Sequence, residues 1–316
     1  MGALERRVVW GIVGGVVVYA ALGLWTDANA VWGELSRVSG WVCAGALGLS
    51  VVNYSVRFLK WQVYLGCVGV EGVGWLESLN VFVAGMVMSV TPGKVGEVLK
   101  SALLAEEFGL EVERTAPIVV AERLTDLLGL LLLAGLGVAS FEYGRAALGV
   151  SAAVVFGGVV ILSTPRVVLG GLEVLGRWER LREMVGRLER AYESMLALLE
   201  WRVLVGTTLM SAVSWGMEGI AFWWLVREVG AVDFEVARAV FLFSTTTVLG
   251  ALSFLPGGLG VTEAGMIGGL MAMGVFATQV KATLATYLIR LSTLWFGVVC
   301  GLVALLVFRA RQAFKR

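Results

Sequence analysis

Arg123 and Arg290 each lie roughly two to three turns inside a long apolar run, where an ionisable side chain is costly and normally has a partner. The spacing supplies one for each. The glutamate that closes Pro92-Gly93-Lys94-Val95-Gly96-Glu97 stands 26 residues before Arg123. The glutamate that closes Pro256-Gly257-Gly258-Leu259-Gly260-Val261-Thr262-Glu263 stands 27 residues before Arg290. The pairs expected are therefore Glu97 with Arg123 and Glu263 with Arg290. Asp126, one turn after Arg123, can hold its guanidinium. Glu122 and Glu218 place further acids in or near apolar runs. Arginine is permanently charged and can hold a phosphate through two parallel hydrogen bonds, while the acids balance that charge or receive a cationic group. Gly93, Gly96, Gly257, Gly258 and Gly260 would let a bound group approach the backbone. The half-helix N-termini at residues 93–96 and 257–260 would add free N–H groups and a positive dipole end. A purely structural alternative stays open, in which these are interior salt bridges that fix helix packing.

Other chemistry is poorly supplied. Histidine is absent, which removes the usual neutral-pH proton carrier and the commonest metal ligand. Cys43, Cys67 and Cys300 form no metal or redox spacing and read as small packing residues. No metal and no cofactor is expected. There is no GxxxxGK[ST] run, so no ATP-binding loop is visible. Any general acid–base step would fall to Glu97 or Glu263.

The elements that must position these residues are membrane helices. Of 316 residues, 58% are hydrophobic and 16% charged, and the mean hydropathy is +0.86. So little polar surface cannot coat a globule in water. Apolar runs long enough to cross a bilayer are predicted near residues 8–25, 40–56, 116–139, 146–162, 204–226 and 281–308. Two more, 76–104 and 236–273, are broken in the middle by proline and glycine, and each half is too short to cross. Broken backbone at membrane depth is tolerated only where protein or a wet cavity covers it, so both are predicted to be re-entrant helical hairpins. Residues 164–201 carry apolar positions at spacings of three and four among Arg and Glu, an amphipathic cytoplasmic segment lying on the membrane surface or linking two bundle halves. Most of the tryptophans read as interface anchors, and Ser244-Thr245-Thr246-Thr247 as hydroxyls bonded to helix carbonyls.

This gives an all-α integral membrane protein, one transmembrane domain over 1–316, with about six spans and two hairpins. Assigning basic residues to the two sides gives eighteen against five, with Arg57, Lys60 and Lys100 counted among the eighteen. That bias predicts cytoplasmic N- and C-termini in the cell membrane. Residues 40–139 and 202–308 each read as span, broken hairpin, span. One span and the linker 164–201 separate them, so they should enter with opposite polarity as an inverted-topology repeat.

The combination of Thr91-Pro92-Gly93-Lys94-Val95-Gly96-Glu97, Glu122-Arg123-Leu124-Thr125-Asp126, Leu255-Pro256-Gly257-Gly258-Leu259-Gly260-Val261-Thr262-Glu263 and Arg290-Leu291 resembles the flippase-like transmembrane region of the lysylphosphatidylglycerol synthase family. The resemblance runs over nearly the whole chain. It implies translocation of an aminoacylated phospholipid, a glycolipid or a polyprenyl-linked lipid by a flippase or scramblase; it gives no support for a synthase activity, and no enzyme activity is expected. The partners it implies are a membrane lipid with an anionic or zwitterionic headgroup, a lipid-modifying enzyme or glycosyltransferase, and a second copy in a homodimer, with no nucleic acid. An enzyme that modifies the headgroup and a non-transporting scaffold are the rival expectations.

Overall fold

The computed structural model describes residues 28–91, 96–138, 145–178 and 181–315; among them there is no strand. The expected first span, 8–25, and Pro92 to Val95, including Gly93, lie outside the described residues.

The helices are α1 (Ala28–Leu35), α2 (Gly40–Cys67), α3 (Trp75–Gly85), α4 (Leu99–Phe108), α5 (Val112–Thr115), α6 (Pro117–Val138), α7 (Arg145–Leu162), α8 (Pro165–Gly176), α9 (Arg182–Leu198), α10 (Trp201–Glu228), α11 (Val236–Leu252), α12 (Val261–Ala272), α13 (Gln279–Arg290) and α14 (Phe296–Lys315). A 3-10 stretch, Met86–Val90, extends α3, and a π turn, Leu291–Trp295, joins α13 to α14.

The burial pattern of α2 is inverted relative to a helix in water. Ser50, Asn53, Arg57, Lys60 and Tyr64 face inward, three and four apart, whereas Val51, Val52, Leu59 and Val63 are exposed. In α10, Thr207, Ser211, Ser214 and Glu218 are buried and Val205, Leu209 and Val213 are exposed. Apolar residues outside and polar residues inside suit lipid as the surrounding medium. Three continuous helices are long and apolar enough to cross a bilayer: Gly40–Cys67, Trp201–Glu228 and Gln279–Phe314. Gly149–Leu162 with Pro165–Gly176, bent by 75°, makes a fourth if counted as one broken span. Among the described residues this is fewer than the sequence led us to expect. The 22-residue α6 has the length, but it carries Glu122, Arg123 and Asp126.

Each apolar region broken by proline and glycine holds two short helices; in the first, the 3-10 extension of α3 ends at Val90 and α4 starts at Leu99, with Pro92 and Gly93 outside the described residues. In the second, α11 ends at Leu252 and α12 starts at Val261. Pro256 opens a 3-10 turn, and Gly257, Gly258 and Gly260 take positive φ of 60°, 67° and 86°, a region that only glycine enters cheaply.

Helix α10 runs along α2 and also touches α6 and α11; α6 packs on α11, and α14 packs on α3 with its 3-10 extension. The last helix of each half thus lies against the first hairpin arm of the other. Small residues set these approaches. A Cβ on Gly129 of α6 would come within 2.7 Å of the Ala212 nitrogen of α10. A Cβ on Gly301 of α14 would overlap the Val87 nitrogen and the Met86 carbonyl carbon. Backbone cannot move aside as a side chain can, so Gly301→Leu is expected to destabilise the protein by about 1–3 kcal/mol, read as a lower apparent melting temperature in detergent.

The segment 164–201 holds two helices, α8 and α9. Val185, Tyr192, Met195 and Leu198 of α9 are buried, the Tyr192 hydroxyl donates to the Leu162 carbonyl at 2.8 Å, and Arg190 reaches Glu113 at 3.7 Å. α9 packs on α5 and α6. It is docked on the bundle, where its apolar stripe finds a partner.

Candidate functional site

Helix α2 carries Arg57 and Lys60 one turn apart, on the face turned to α6 and α10. On α6, Glu122, Arg123 and Asp126 occupy one stretch, and α4 brings Lys100 up from the far side of the first break. Asp126 is the hub. Its Oδ1 receives the Lys60 ammonium at 2.6 Å, and its Oδ2 lies 3.1 Å from Arg123 and 3.9 Å from Arg57. Lys60 also donates to the Ser211 hydroxyl of α10 at 2.6 Å. Lys100 is ion-paired with Glu122 and lies 3.6 Å from Glu97, with its ammonium 4.7 Å from the Trp61 ring centre. Glu97 reaches Arg123 at 3.4 Å and accepts from Ser89 at 3.3 Å.

The second half repeats the motif more simply. Arg290 Nε meets Glu263 Oε1 at 2.6 Å, and its terminal nitrogen donates to the Gly257 carbonyl at 2.8 Å. The π turn follows at once. The Tyr54 hydroxyl of α2 donates to the Thr293 carbonyl within this turn at 2.5 Å.

Both expected glutamate–arginine pairs are therefore within ion-pair distance, and Asp126 does hold Arg123. Of the N–H groups expected to be free at the helix starts, those of Gly96, Gly258, Leu259 and Gly260 are taken up by the chain, which corrects that expectation for these four. The Gly260 N–H donates to Glu263 Oε2 at 2.7 Å, and Gly258 and Leu259 donate to the carbonyls of Leu255 and Pro256. The Gly96 N–H donates to the Thr91 hydroxyl at 2.9 Å. These donors are capped by the chain's own acceptors, as orphan N–H groups at a helix start commonly are. Gly258 packs against Gly250, where a side chain would meet backbone.

Arg57, Lys60 and Lys100 are the second correction. They are not solvent-exposed charges flanking a span: their exposures are 6%, 0% and 1%, and acids hold all three. In the Ser244–Thr247 run, Thr246 and Thr247 bond the carbonyls of Leu242 and Phe243, as expected, at 2.8 and 2.7 Å, whereas the buried Ser244 and Thr245 hydroxyls bond no carbonyl.

A cavity of about 200 Å³ lies where the halves meet. Arg57, Arg123 and Asp126 line it from the first half, and Glu218, Gly257, Gly258 and Arg290 from the second. Most of the remaining lining is apolar, including Phe254 and Leu255, which are themselves exposed on the protein's surface. Glu97 and Glu263 stand behind the lining and hold the arginines.

Residues 12–301 match the family described as the lysylphosphatidylglycerol synthase TM region. The chain belongs to that family. Membership makes it a membrane protein of lipid headgroup metabolism or translocation. No curated protein matches the chain.

Proposed function

We propose that the family's transmembrane region works here as a lipid flippase or scramblase, in which the polar headgroup crosses through the cavity while the tails stay in the bilayer. One observation carries the reading. Three arginines and two carboxylates, drawn from both halves of the chain, line a single cavity inside a bundle whose outer face is apolar. An arginine in such a place is matched to a phosphate. The reciprocal packing of each half's last helix on the other's hairpin supports the inverted repeat of 40–139 and 202–308, with the breaks as re-entrant hairpins around a central site. Arg123 and Arg290 would hold the phosphate in turn, while Asp126 and Glu218 balance or receive a cationic group. The termini face the cytoplasm of the cell membrane in this reading, and no chemical conversion is involved.

The test is translocation of fluorescent aminoacylated, anionic, zwitterionic and glycosylated lipids in liposomes holding the full chain. The wild type is expected to move at least one of them. Arg123→Ala and Arg290→Ala, shown to be folded, are expected to slow that lipid at least about 30-fold, since truncating a buried charge contact costs about 2–5 kcal/mol. Folded wild type that moves no lipid faster than protein-free vesicles would overturn the reading.

A further inference from the structure

We infer that the cavity takes a zwitterionic phosphate headgroup, its phosphate held by Arg57 and Arg123 and its ammonium by Asp126 and Glu218. The inference rests on the reading of the cavity as a headgroup site.

Hydrogen-bonding capacity points to it first. The Nε atoms of Arg57 and Arg123 are inaccessible to water and donate to nothing. Asp126 Oδ2, ion-paired with Arg123, likewise accepts no hydrogen bond. All three residues line the same cavity. Buried donors and acceptors left unmatched are costly, and native proteins keep few of them. The cavity is thus lined by two guanidinium forks with unused donors and a carboxylate with an unused oxygen, which rotation of the side chains on binding would turn toward a ligand. A lone anion would use only the first, and a lone cation only the second. Arg57 is also the most loosely held cation of the group, with its nearest acid at 3.9 Å and the Trp215 ring 5.8 Å away.

Charge balance points the same way. Among the described residues, Arg57, Lys60, Lys100 and Arg123 are set against Glu97, Glu122, Asp126 and Glu218, and Arg290 against Glu263. Glu218 is buried, lines the cavity and lies within electrostatic reach of Arg57. A net charge brought into such a balanced, buried interior is uncompensated, whereas a zwitterion adds none. The apolar lining beyond the charges, with Phe254 and Leu255 exposed, suits a headgroup carrying tails better than a free ion.

The experiment measures binding rather than transport. The purified full chain in neutral detergent is titrated with short-chain phosphatidylethanolamine, short-chain phosphatidylglycerol, phosphoethanolamine and inorganic phosphate, and thermal shift is the readout. Phosphatidylethanolamine is expected to bind at least about tenfold more tightly than phosphatidylglycerol, with both tail-less compounds weaker still. Glu218→Gln is expected to bring the two lipids to near-equal affinity while binding persists. Arg57→Gln is expected to weaken both at least about tenfold, and Arg57→Lys to recover part of the loss. Should Arg57→Gln not fold, Arg57→Lys and Glu218→Gln decide. Equal or tighter binding of phosphatidylglycerol, binding of inorganic phosphate as tight as that of the zwitterionic lipid, or a preference untouched by Glu218→Gln would overturn the inference. The expected preference in a protein that moves no lipid would leave this inference standing and remove transport. Transport with no preference for zwitterions would do the reverse.

Discussion

Asp126→Ala is expected to yield almost no folded protein. The carboxylate is buried and neutralises Lys60 at 2.6 Å, Arg123 at 3.1 Å and, more distantly, Arg57 at 3.9 Å. Removing one partner of a buried pair costs about 3–5 kcal/mol, because the other charge is left without compensation. Here several cations lose their acid together. A whole domain is stable by only about 5–15 kcal/mol, so the loss takes most of it. Asp126→Asn keeps the shape but not the charge and is expected to be nearly as harmful. Adding Lys60→Met to Asp126→Asn removes the cation most dependent on Asp126 and is expected to restore part of the yield. Monodisperse protein by size-exclusion chromatography and the apparent melting temperature are the readouts. An alanine variant that melts within about 2 °C of the wild type would show that the hub carries little stability.

Lys100→Met should have the next largest effect on stability, again about 3–5 kcal/mol. Lys100 is ion-paired with Glu122, which is fully buried and whose Oε1 has no hydrogen-bond partner. Without the ammonium, that carboxylate is stranded among helices. The rings of Trp61 and Phe82, 4.7 and 5.4 Å from the ammonium, also lose a cation over their faces. The double variant Lys100→Met with Glu122→Gln is expected to regain most of the lost melting temperature, since an apolar replacement for a buried pair is often neutral. A double variant no better than the single one would mean that the lysine acts through packing and not through charge.

The breaks and the glutamate–arginine pairs could be read from the chain because they are local rules repeated twice. A proline followed by glycines in the middle of an apolar run breaks the helix, and an arginine deep in an apolar run needs an acid. Arg57, Lys60 and Lys100 could not be read in the same way. A hydropathy window ends a span at its first charge, so the span beginning at Gly40 stopped at Val56, whereas the helix continues to Cys67. A signal was present. Between Val56 and Gly66 no helix breaker occurs, and Arg57, Lys60, Trp61 and Tyr64 continue the helical spacing of Ser50 and Asn53. The capped N–H groups of the second break were missed for another reason. Spacing placed Glu263 near Arg290, but it could not show that the same carboxylate turns its second oxygen to the Gly260 amide.

The charges of α6 also bear on how the protein is made. At the centre of a lone membrane helix, Asp or Arg opposes insertion by about 2.5–3.5 kcal/mol each, against about 0.3–0.6 kcal/mol in favour from each leucine. With Glu122, Arg123 and Asp126 together, α6 gains little by leaving the insertion machinery alone. Its compensation comes from both directions along the chain: Lys60 and Lys100 are synthesised before it, and Ser211, which shares Lys60 with Asp126, well after it. Stable release into lipid therefore has to wait until α2, α4 and α6 have assembled. The cluster is complete only when α10 arrives, so the first half stays dependent on the cell's insertion apparatus until the second half has begun to emerge.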